Sequence, residues 1–460
     1  MPNRCQGIFY FRVQFMVFVK LDVFLGKQRK NKFMTPTSRS ILALLVLITC
    51  THCVQKDPVS TGPEVLLSIN VPEDYHRTQE GYADRSFAYI TDETGTVIDA
   101  GELLDGTLLK LSGNYDHANR PMHAHIVRVY YRFQGSHRSE RYTVDSYSDI
   151  EPDTWDLERR PLPNRQELNL KFINTGGEIE QNEHFVDSNT YGSGSESDGD
   201  NGTYFRTILV DEFPEDVYIA FKRKNESGVR YFWQRVSGPE SQEINSLDLP
   251  LIEKPVSISV PPAAGGYVAA YGYKADAPAQ EKEVFYHHLE GGANSVSPFV
   301  PAGVFDYFRN YCRIGIFGKG FYGITEIGPL RTDYQLPELD LMVHLTDVKN
   351  LEFEAGRPFD GYDISARYLE RGPDRDQLLV WSVRGTYAAK INPPFPELPD
   401  LITEALPFVE SHLPDLELDE ATVFTYQDFP VRRTFFRESV KFGGLSPADH
   451  GRRESYTVTE

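Results

Sequence analysis

The chain reads Phe87-Ala-Tyr-Ile-Thr91, then Asp92-Glu-Thr-Gly95, then Thr96-Val-Ile98, and this stretch decides the class of fold. Its first and third parts are rich in aromatic and β-branched side chains, which pack well on a pleated, half-buried surface. Gly95 between them can adopt the positive φ that a tight hairpin requires. The stretch therefore predicts two antiparallel strands joined by a short turn.

The same pattern continues along the chain from Val65. Short apolar or alternating runs are separated by turn residues every eight to twelve positions, a spacing typical of β-sandwiches or β-barrels. Asn225-Glu-Ser-Gly228, between two apolar runs, predicts another hairpin. One helix is expected near Asp400 to Val409, where leucine, isoleucine and phenylalanine recur after Pro399. We predict a mainly β protein of tandem antiparallel β-sandwich (Ig-like or transthyretin-like) domains with little helix.

Shifts in composition predict the domain boundaries. A signal peptide, a polar tether, a β-sandwich domain, a flexible linker or loop, a second β-sandwich domain, a C-terminal β-rich domain and a polar tail are expected, in that order, at residues 1–50, 51–63, 64–190, 191–202, 203–302, 303–445 and 446–460. The linker is predicted because its glycine, serine and aspartate content cannot support a core.

Residues 65–135 resemble the transthyretin-like sandwich that occurs as a carboxypeptidase regulatory-like domain in exported bacterial proteins. The resemblance rests on strands separated first by Asp92-x-x-Gly95 and then by Asp105-Gly106. It implies a small sandwich domain in a protein that leaves the cytoplasm.

Net charge and cysteine content limit the functions that the chain can have. The net charge is −20, and eight basic residues with one acidic residue precede Cys50, which leaves about −27 on the remainder. A body this acidic repels nucleic acid and anionic lipid surfaces, so no nucleic-acid partner is expected. The four cysteines, Cys5, Cys50, Cys53 and Cys312, are too few for a disulfide framework.

The N-terminal region carries the most specific motif. Ile41 to Ile48 is an uninterrupted apolar run that is too short to cross a bilayer but long enough for the apolar part of a signal peptide. Leu47-Ile48-Thr49-Cys50 resembles the lipobox of bacterial lipoproteins, although Thr49 stands where Gly, Ala or Ser is usual. The resemblance implies that Cys50 is lipidated with acyl chains such as palmitate and becomes the first residue of the mature protein.

The start of translation and the final location follow from the same region. Met34 begins a conventional short signal, so Met34 is predicted as the true start; a long N-terminal extension is the alternative. Lys56-Asp57 resembles the signal that directs lipoproteins of Bacteroidota-type bacteria to the outer face of the outer membrane, and the organisation of the chain resembles multidomain lipoproteins of such bacteria. We expect a lipid-anchored protein of the cell envelope at the outer membrane, with the periplasmic and surface faces both left open.

His123-Ala-His125 is the most suggestive pair of metal-ligand side chains. Alternate residues of a strand face the same side, so both imidazoles could approach one metal ion. The two histidines share this face with Val127 and Val129, however, which indicates a row of core side chains. His287-His288, whose rings point to opposite faces, is also interpreted as structural, as are the glycine-rich stretch 315–323 and the acidic stretch 198–202.

No catalytic, cofactor-binding or metal-binding residue is therefore predicted, and the expected function is binding or scaffolding at the cell envelope by a non-enzymatic lipoprotein. The partners expected are the membrane, through the lipid, and a protein or glycan ligand. A glycan-binding or glycan-processing component is the first alternative, because exposed Trp155, Trp233 or Trp381 could stack on sugars. A metal-dependent enzyme at His123 and His125 is the second.

Overall fold

The structure is a computed structural model. It describes residues 62–73, 75–76, 83–134, 137–158, 166–176, 186–187, 195–198, 202–210, 213–223, 226–316, 320–336, 341–345, 351–355, 358–386, 395–426, 436 and 452–459. The predicted signal peptide, the predicted start at Met34 and Cys50, the predicted site of lipidation, lie outside these ranges, as does most of the predicted tether. Pro63–Glu460 is the compact unit to which the described residues belong, apart from Gly62.

Within the described ranges the chain forms 27 strands and two short α-helices. The strands are β1 Glu64–Asn70, β2 Ala83–Thr91, β3 Val97–Glu102, β4 Leu108–Gly113, β5 Met122–Gln134, β6 His137–Ile150, β7 Asp153–Asp156, β8 Gln166–Ile173, β9 Val186–Asp187, β10 Ser195–Asp198, β11 Thr203–Val210, β12 Glu215–Phe221, β13 Val229–Val236, β14 Gln242–Asn245, β15 Leu251–Ile252, β16 Ile258–Ser259, β17 Gly265–Lys274, β18 Ala277–Leu289, β19 Ser295–Val296, β20 Tyr307–Ile316, β21 Gly320–Gly328, β22 Leu341–Leu345, β23 Leu351–Ala355, β24 Gly361–Arg371, β25 Arg375–Thr386, β26 Glu417–Tyr426 and β27 Arg452–Thr459. The helices are α1 Asp400–Ala405 and α2 Pro407–His412. The prediction of a mainly β fold with little helix is confirmed.

The predicted local elements are found where the sequence placed them. β2 and β3 pair across the turn at Gly95, whose φ is 89°, and β12 pairs with β13. The expected helix is present but breaks at Leu406, because Pro407 cannot continue the hydrogen-bond ladder and begins a second helix instead.

One sheet of twelve strands dominates the molecule. Its spatial order is β18-β17-β20-β21-β27-β26-β24-β25-β6-β5-β2-β3. All neighbouring strands run antiparallel except β25 and β6, which pair in parallel from Arg375↔Arg138 to Arg384↔Tyr147. Strands from all three segments predicted as separate domains lie in this sheet, so hydrogen-bonded pairing crosses each of the expected boundaries.

Two segments that were expected to lack regular structure contain strands. Arg452–Thr459, in the predicted polar tail, forms β27 in the interior of the large sheet, between β21 and β26. Its alternation explains this position, because Tyr456 is buried in a core while Ser455 lies on the other face. Ser195–Asp198, in the predicted linker, pairs with β11, since backbone hydrogen bonds do not require apolar side chains.

Smaller sheets cover the large one and divide the interior into several cores. β4-β1-β7 packs against β5 and β6 around Leu67, Ile126 and Trp155. The sheets β10-β11-β8-β14 and β15-β13-β12-β9 enclose a core around Phe172 and Phe221, and β12 and β13 also pack towards β17 and β20. The helices α1 and α2 cover one face of β24 and β25, where Ile402 and Val409 meet Trp381.

Candidate functional site

Cys50, the residue predicted to carry the lipid, lies outside the described residues, so its lipidation stays a prediction. Among the described residues, no helix combines the length and apolar character needed to cross a membrane. In the same part of the chain, no three His, Cys, Asp or Glu side chains are grouped so that they could hold a metal ion.

His123 and His125 are buried on β5, as the alternation of the strand predicted. Nδ1 of His125 lies 2.7 Å from the Ser146 hydroxyl, and its Nε2 lies 3.0 Å from the Thr91 hydroxyl. The ring stacks on Tyr89 with centroids 4.4 Å apart. Burial, with a smaller effect of His123, lowers the pKa of His125 well below its usual value. Both ring nitrogens of His125 are thus engaged in the core, and a metal ion could bind only by replacing one of these contacts.

The tryptophans do not form a sugar-stacking platform. Trp155 and Trp381 are each 1% exposed and belong to two different cores. Trp233 is half-buried and packs edge-on against Phe305 with centroids 5.2 Å apart. His287 and His288 lie exposed on β18, the edge strand of the large sheet.

A cleft of about 500 Å³ lies on the face of the large sheet opposite to the helices. Seven strands line it: β6, β20, β21, β24, β25, β26 and β27. The alternation of each strand produces this arrangement. On β25, for example, Leu379, Trp381 and Val383 enter the core below the helices, while Ser382 and Arg384 point into the cleft. The floor of the cleft is therefore polar, with hydroxyl and charged side chains over an apolar core.

A ladder of alternating charges forms one side of this face. Arg128 contacts Asp145 at 2.6 Å, Asp145 contacts Arg384 at 3.4 Å, and Arg384 contacts Asp363 at 3.1 Å, so the ladder crosses β5, β6, β25 and β24. Burial alone would lower the pKa of Arg384, but Asp363 and Asp145 outweigh it and hold this pKa above its ordinary value. Each buried charge has an opposite neighbour, and this arrangement makes burial of the ladder tolerable.

Two further arginines of the cleft, Arg313 on β20 and Arg453 on β27, form no ion pair with a carboxylate among the described residues. Each is held against aromatic rings instead. The Arg313 guanidinium lies 4.5 Å from the ring centre of Phe321, and that of Arg453 lies 4.8 Å from Phe424 and 5.8 Å from Tyr426. The buried Nε of Arg453 lacks a hydrogen-bond acceptor in the described part of the protein. Aromatic faces orient a guanidinium without neutralising it, so both positive charges stay available.

A chain of hydroxyl groups on β26 and β27 also lines the cleft. The Thr422 hydroxyl donates to Glu420 at 2.9 Å and also lies 2.8 Å from the Thr457 hydroxyl. Since a threonine has a single hydroxyl proton, and Thr422 gives its proton to Glu420, Thr457 must be the donor to Thr422. The lone pairs of Thr457 then remain to accept a hydrogen bond from a group in the cleft.

Three tyrosines extend the polar face beyond the cleft. Tyr267 stacks on Tyr286 with centroids 4.9 Å apart and on Tyr311 with centroids 5.2 Å apart. Their planes differ by 25° and 15°, so the rings cover each other's faces. Tyr267 is covered by both neighbours, whereas Tyr286, on the edge strand β18, is 41% exposed. The row is an aromatic extension of the cleft lining.

The sequence analysis did not identify the cleft residues. Tyr311 and Arg313 alternate with Cys312 and Ile314, which indicates a polar strand face but not what lies beside it. Arg453 lies in a segment that was expected to be a tail. The pairing Arg313↔Gly323 and Gly323↔Ser455 brings β20 and β27 to either side of β21, and such a register cannot be inferred from local pattern.

No protein-family model matches this chain, and no significant match to it was found among the curated proteins.

Proposed function

We propose that this protein is a lipid-anchored binding protein of the cell envelope, held at the outer membrane through Cys50, and that its ligand occupies the cleft on the twelve-stranded sheet. The observation that carries the binding role is the cleft itself. It has the volume of a small-molecule site, and it is lined by two oriented arginines, Arg313 and Arg453, that have no carboxylate partner among the residues that the structure describes.

The chemistry of the described residues favours binding over catalysis. The buried His123 and His125 belong to the core on the opposite face of the sheet, where Tyr89, Thr91 and Ser146 surround His125. The carboxylates Asp363 and Asp419 in the cleft are paired with Arg384 and Arg367. Glu420, the third carboxylate that lines the cleft, accepts the hydroxyl proton of Thr422. All three carboxylates of the lining are thus engaged by neighbouring side chains, and the cleft is better equipped to hold a ligand than to transform it.

The binding role is tested by thermal shift of the full-length protein with a panel of neutral sugars, acidic sugars, phosphorylated compounds and short peptides. A compound that binds the folded state raises the melting temperature by mass action. Ser365→Trp fills the cleft with a bulky side chain and should abolish the shift, because Ser365 lies on its floor. Ser237→Trp, on an exposed position outside the cleft, is the matched control and should retain it.

The proposal is contradicted if Ser365→Trp leaves the shifts unchanged. It is contradicted equally if no compound of the panel stabilises the wild-type protein.

A further inference from the structure

We infer that the cleft takes an acidic sugar, with the sugar's carboxylate between Arg313 and Arg453 and a ring hydroxyl on Thr457. This inference rests on the proposed binding role and specifies the ligand for the same cleft.

The position of the two arginines supports the anionic part of the ligand. β20 and β27 are separated by β21 alone. Arg313 on β20 pairs with Gly323 on β21, and Gly323 pairs with Ser455 on β27. Arg453 is two residues from Ser455 on the same strand. Strand spacing and rise place the Cα atoms of the two arginines about 12 Å apart. Arg313 leans over Phe321 on β21, whereas Arg453 leans over Phe424 on β26, so the two guanidinium groups flank β27 from opposite sides. An anion above β27 would lie between two fixed cations.

The fixed orientation of these cations matters for affinity. Stacking on Phe321 and Phe424 restricts each guanidinium before a ligand arrives, so less side-chain entropy is lost on binding. Guanidinium groups present forked donors that match the two oxygens of a carboxylate. In the ladder, by contrast, the donors of Arg384 are used by Asp145 and Asp363.

The hydroxyl chain supports the sugar part. Thr457 lies on β27, four residues from Arg453, and pairs with Phe321, the residue beneath the Arg313 guanidinium. Its lone pairs can accept from a ligand hydroxyl because its proton is directed to Thr422. Ser455, two residues away on the same strand, also lines the cleft. A site with cationic donors beside hydroxyl acceptors suits a molecule that carries a carboxylate close to hydroxyl groups. A uronic acid has this combination on one ring.

The net charge of the protein does not exclude such a ligand. At physiological ionic strength charges are screened over about 8 Å. The repulsion from the −20 of the whole chain therefore acts weakly inside the cleft. Among the described residues, three arginines of its lining (Arg141, Arg313 and Arg453) and one carboxylate (Glu420) form no ion pair, so these side chains leave a local excess of positive charge.

The test is isothermal titration of the full-length protein with tri-galacturonic acid, its methyl-esterified form and inorganic phosphate. The ester keeps the ring hydroxyls and removes the charges. We expect the wild-type protein to bind the acid on the order of ten-fold more tightly than the ester. Arg313→Gln and Arg453→Gln should each remove this preference. Arg235→Gln makes the same charge change on β13, outside the cleft, and should keep it.

Thr457→Val tests the sugar part, because it removes the hydroxyl while retaining the shape of the side chain. It should weaken binding of the acid and of the ester by a similar factor. Equal affinity of the wild-type protein for acid and ester would overturn the anionic part of the inference. Phosphate binding as tight as that of the trimer, unaffected by Thr457→Val, would show a simple anion site and overturn the sugar part.

A wild-type protein that binds none of the three probes would overturn the inference as a whole. Failure of the uronic-acid inference can be told apart from failure of the binding role. The binding role is tested by comparing Ser365→Trp with the wild-type protein in the thermal-shift panel, and the other compounds of that panel test it without a uronic acid.

Discussion

Trp381 on β25 donates its indole N–H to the hydroxyl of Ser146 on β6 across 2.9 Å. The two residues are 235 positions apart in sequence and meet because β25 and β6 pair in parallel. The Ser146 hydroxyl also contacts His125, which in turn contacts Thr91. A chain of hydrogen-bonding side chains thus crosses β25, β6, β5 and β2 through the core. Each of its four members has a partner within the chain and would otherwise be buried without that partner.

Ser146→Ala should destabilise the protein by about 1–3 kcal/mol, because the indole N–H of Trp381 would be left buried without an acceptor. Urea unfolding followed by tryptophan fluorescence measures the change. Ser382→Ala, on the cleft face of β25, is the control and should change the free energy of unfolding by less than about 0.5 kcal/mol. Equal effects of the two substitutions would show that the buried chain contributes nothing specific.

Stability should fall below about pH 6.5 because of His125. Its pKa is lowered in the folded state, so the unfolded chain takes up a proton that the folded protein excludes. This contribution to stability is complete above the unfolded pKa and is lost as the pH falls, by up to about 1.4 kcal/mol per pH unit. His125→Gln should make the free energy of unfolding less dependent on pH in this range. The exposed His288→Gln should keep the wild-type slope, and a slope unchanged by His125→Gln would contradict the assignment.

Asp145→Asn should cost about 3–5 kcal/mol, since it leaves Arg128 and Arg384 facing each other across a neutral side chain. Chemical denaturation gives the value. Asp419→Asn breaks an ion pair of the same kind with Arg367, whose side chain is 61% exposed, and should cost less than about 1 kcal/mol. A loss at Asp145 no larger than that at Asp419 would show that water already screens the ladder.

Tyr456→Ala should destabilise the protein by about 3–5 kcal/mol, because the ring is buried between β21 and β26 and packs on Tyr322. Arg452→Ala, on the same strand but half-buried and paired with Glu454, should cost less than about 1 kcal/mol. The ratio of the two losses, from urea unfolding, reports whether β27 is an integral strand of the sheet. Small losses of unfolding free energy for both substitutions would show that β27 is dispensable for the stability of the sheet.

Cys50→Ala should release the protein from the membrane fraction, because no other acyl attachment site is predicted in the chain. Incorporation of labelled palmitate and an intact-mass measurement follow the modification directly. Cys53→Ala is the matched control and should leave both the label and the membrane association unchanged. A Cys50→Ala protein that stays with the membrane and still carries label would contradict the lipoprotein assignment.

Local pattern was sufficient for many of the individual strands but not for their assembly. The hairpin at Gly95, the burial of His125 and the helix that begins at Asp400 all follow from periodicity and turn chemistry within about ten residues. The cleft does not, because Asp145 and Arg384 are 239 positions apart and meet only through the register of β6 and β25. Nothing in the sequence around either residue specifies that pairing.

The segment around β27 shows why composition misled. Arg452 to Thr459 contains arginine, glutamate and hydroxyl side chains, which are typical of a solvated tail. On a strand with one face on a polar cleft, that composition is what the environment requires, and Tyr456 with Val458 supplies the apolar half. A polar strand between two polar-faced neighbours cannot be distinguished from a tail without knowledge of those neighbours.

The position of β27 has a consequence for how the protein is made. In the described sheet, one group consists of the neighbouring strands β18, β17, β20 and β21. The other group consists of β26, β24, β25, β6, β5, β2 and β3, and β27 joins the two groups. A growing chain exposes the open edges of β21 and β26 until residues 452–459 have left the ribosome or the export channel. Open edges of this kind promote association with other unfinished chains. We expect newly made copies to depend on a holding chaperone until β27 inserts, and to become independent of it once the sheet is continuous.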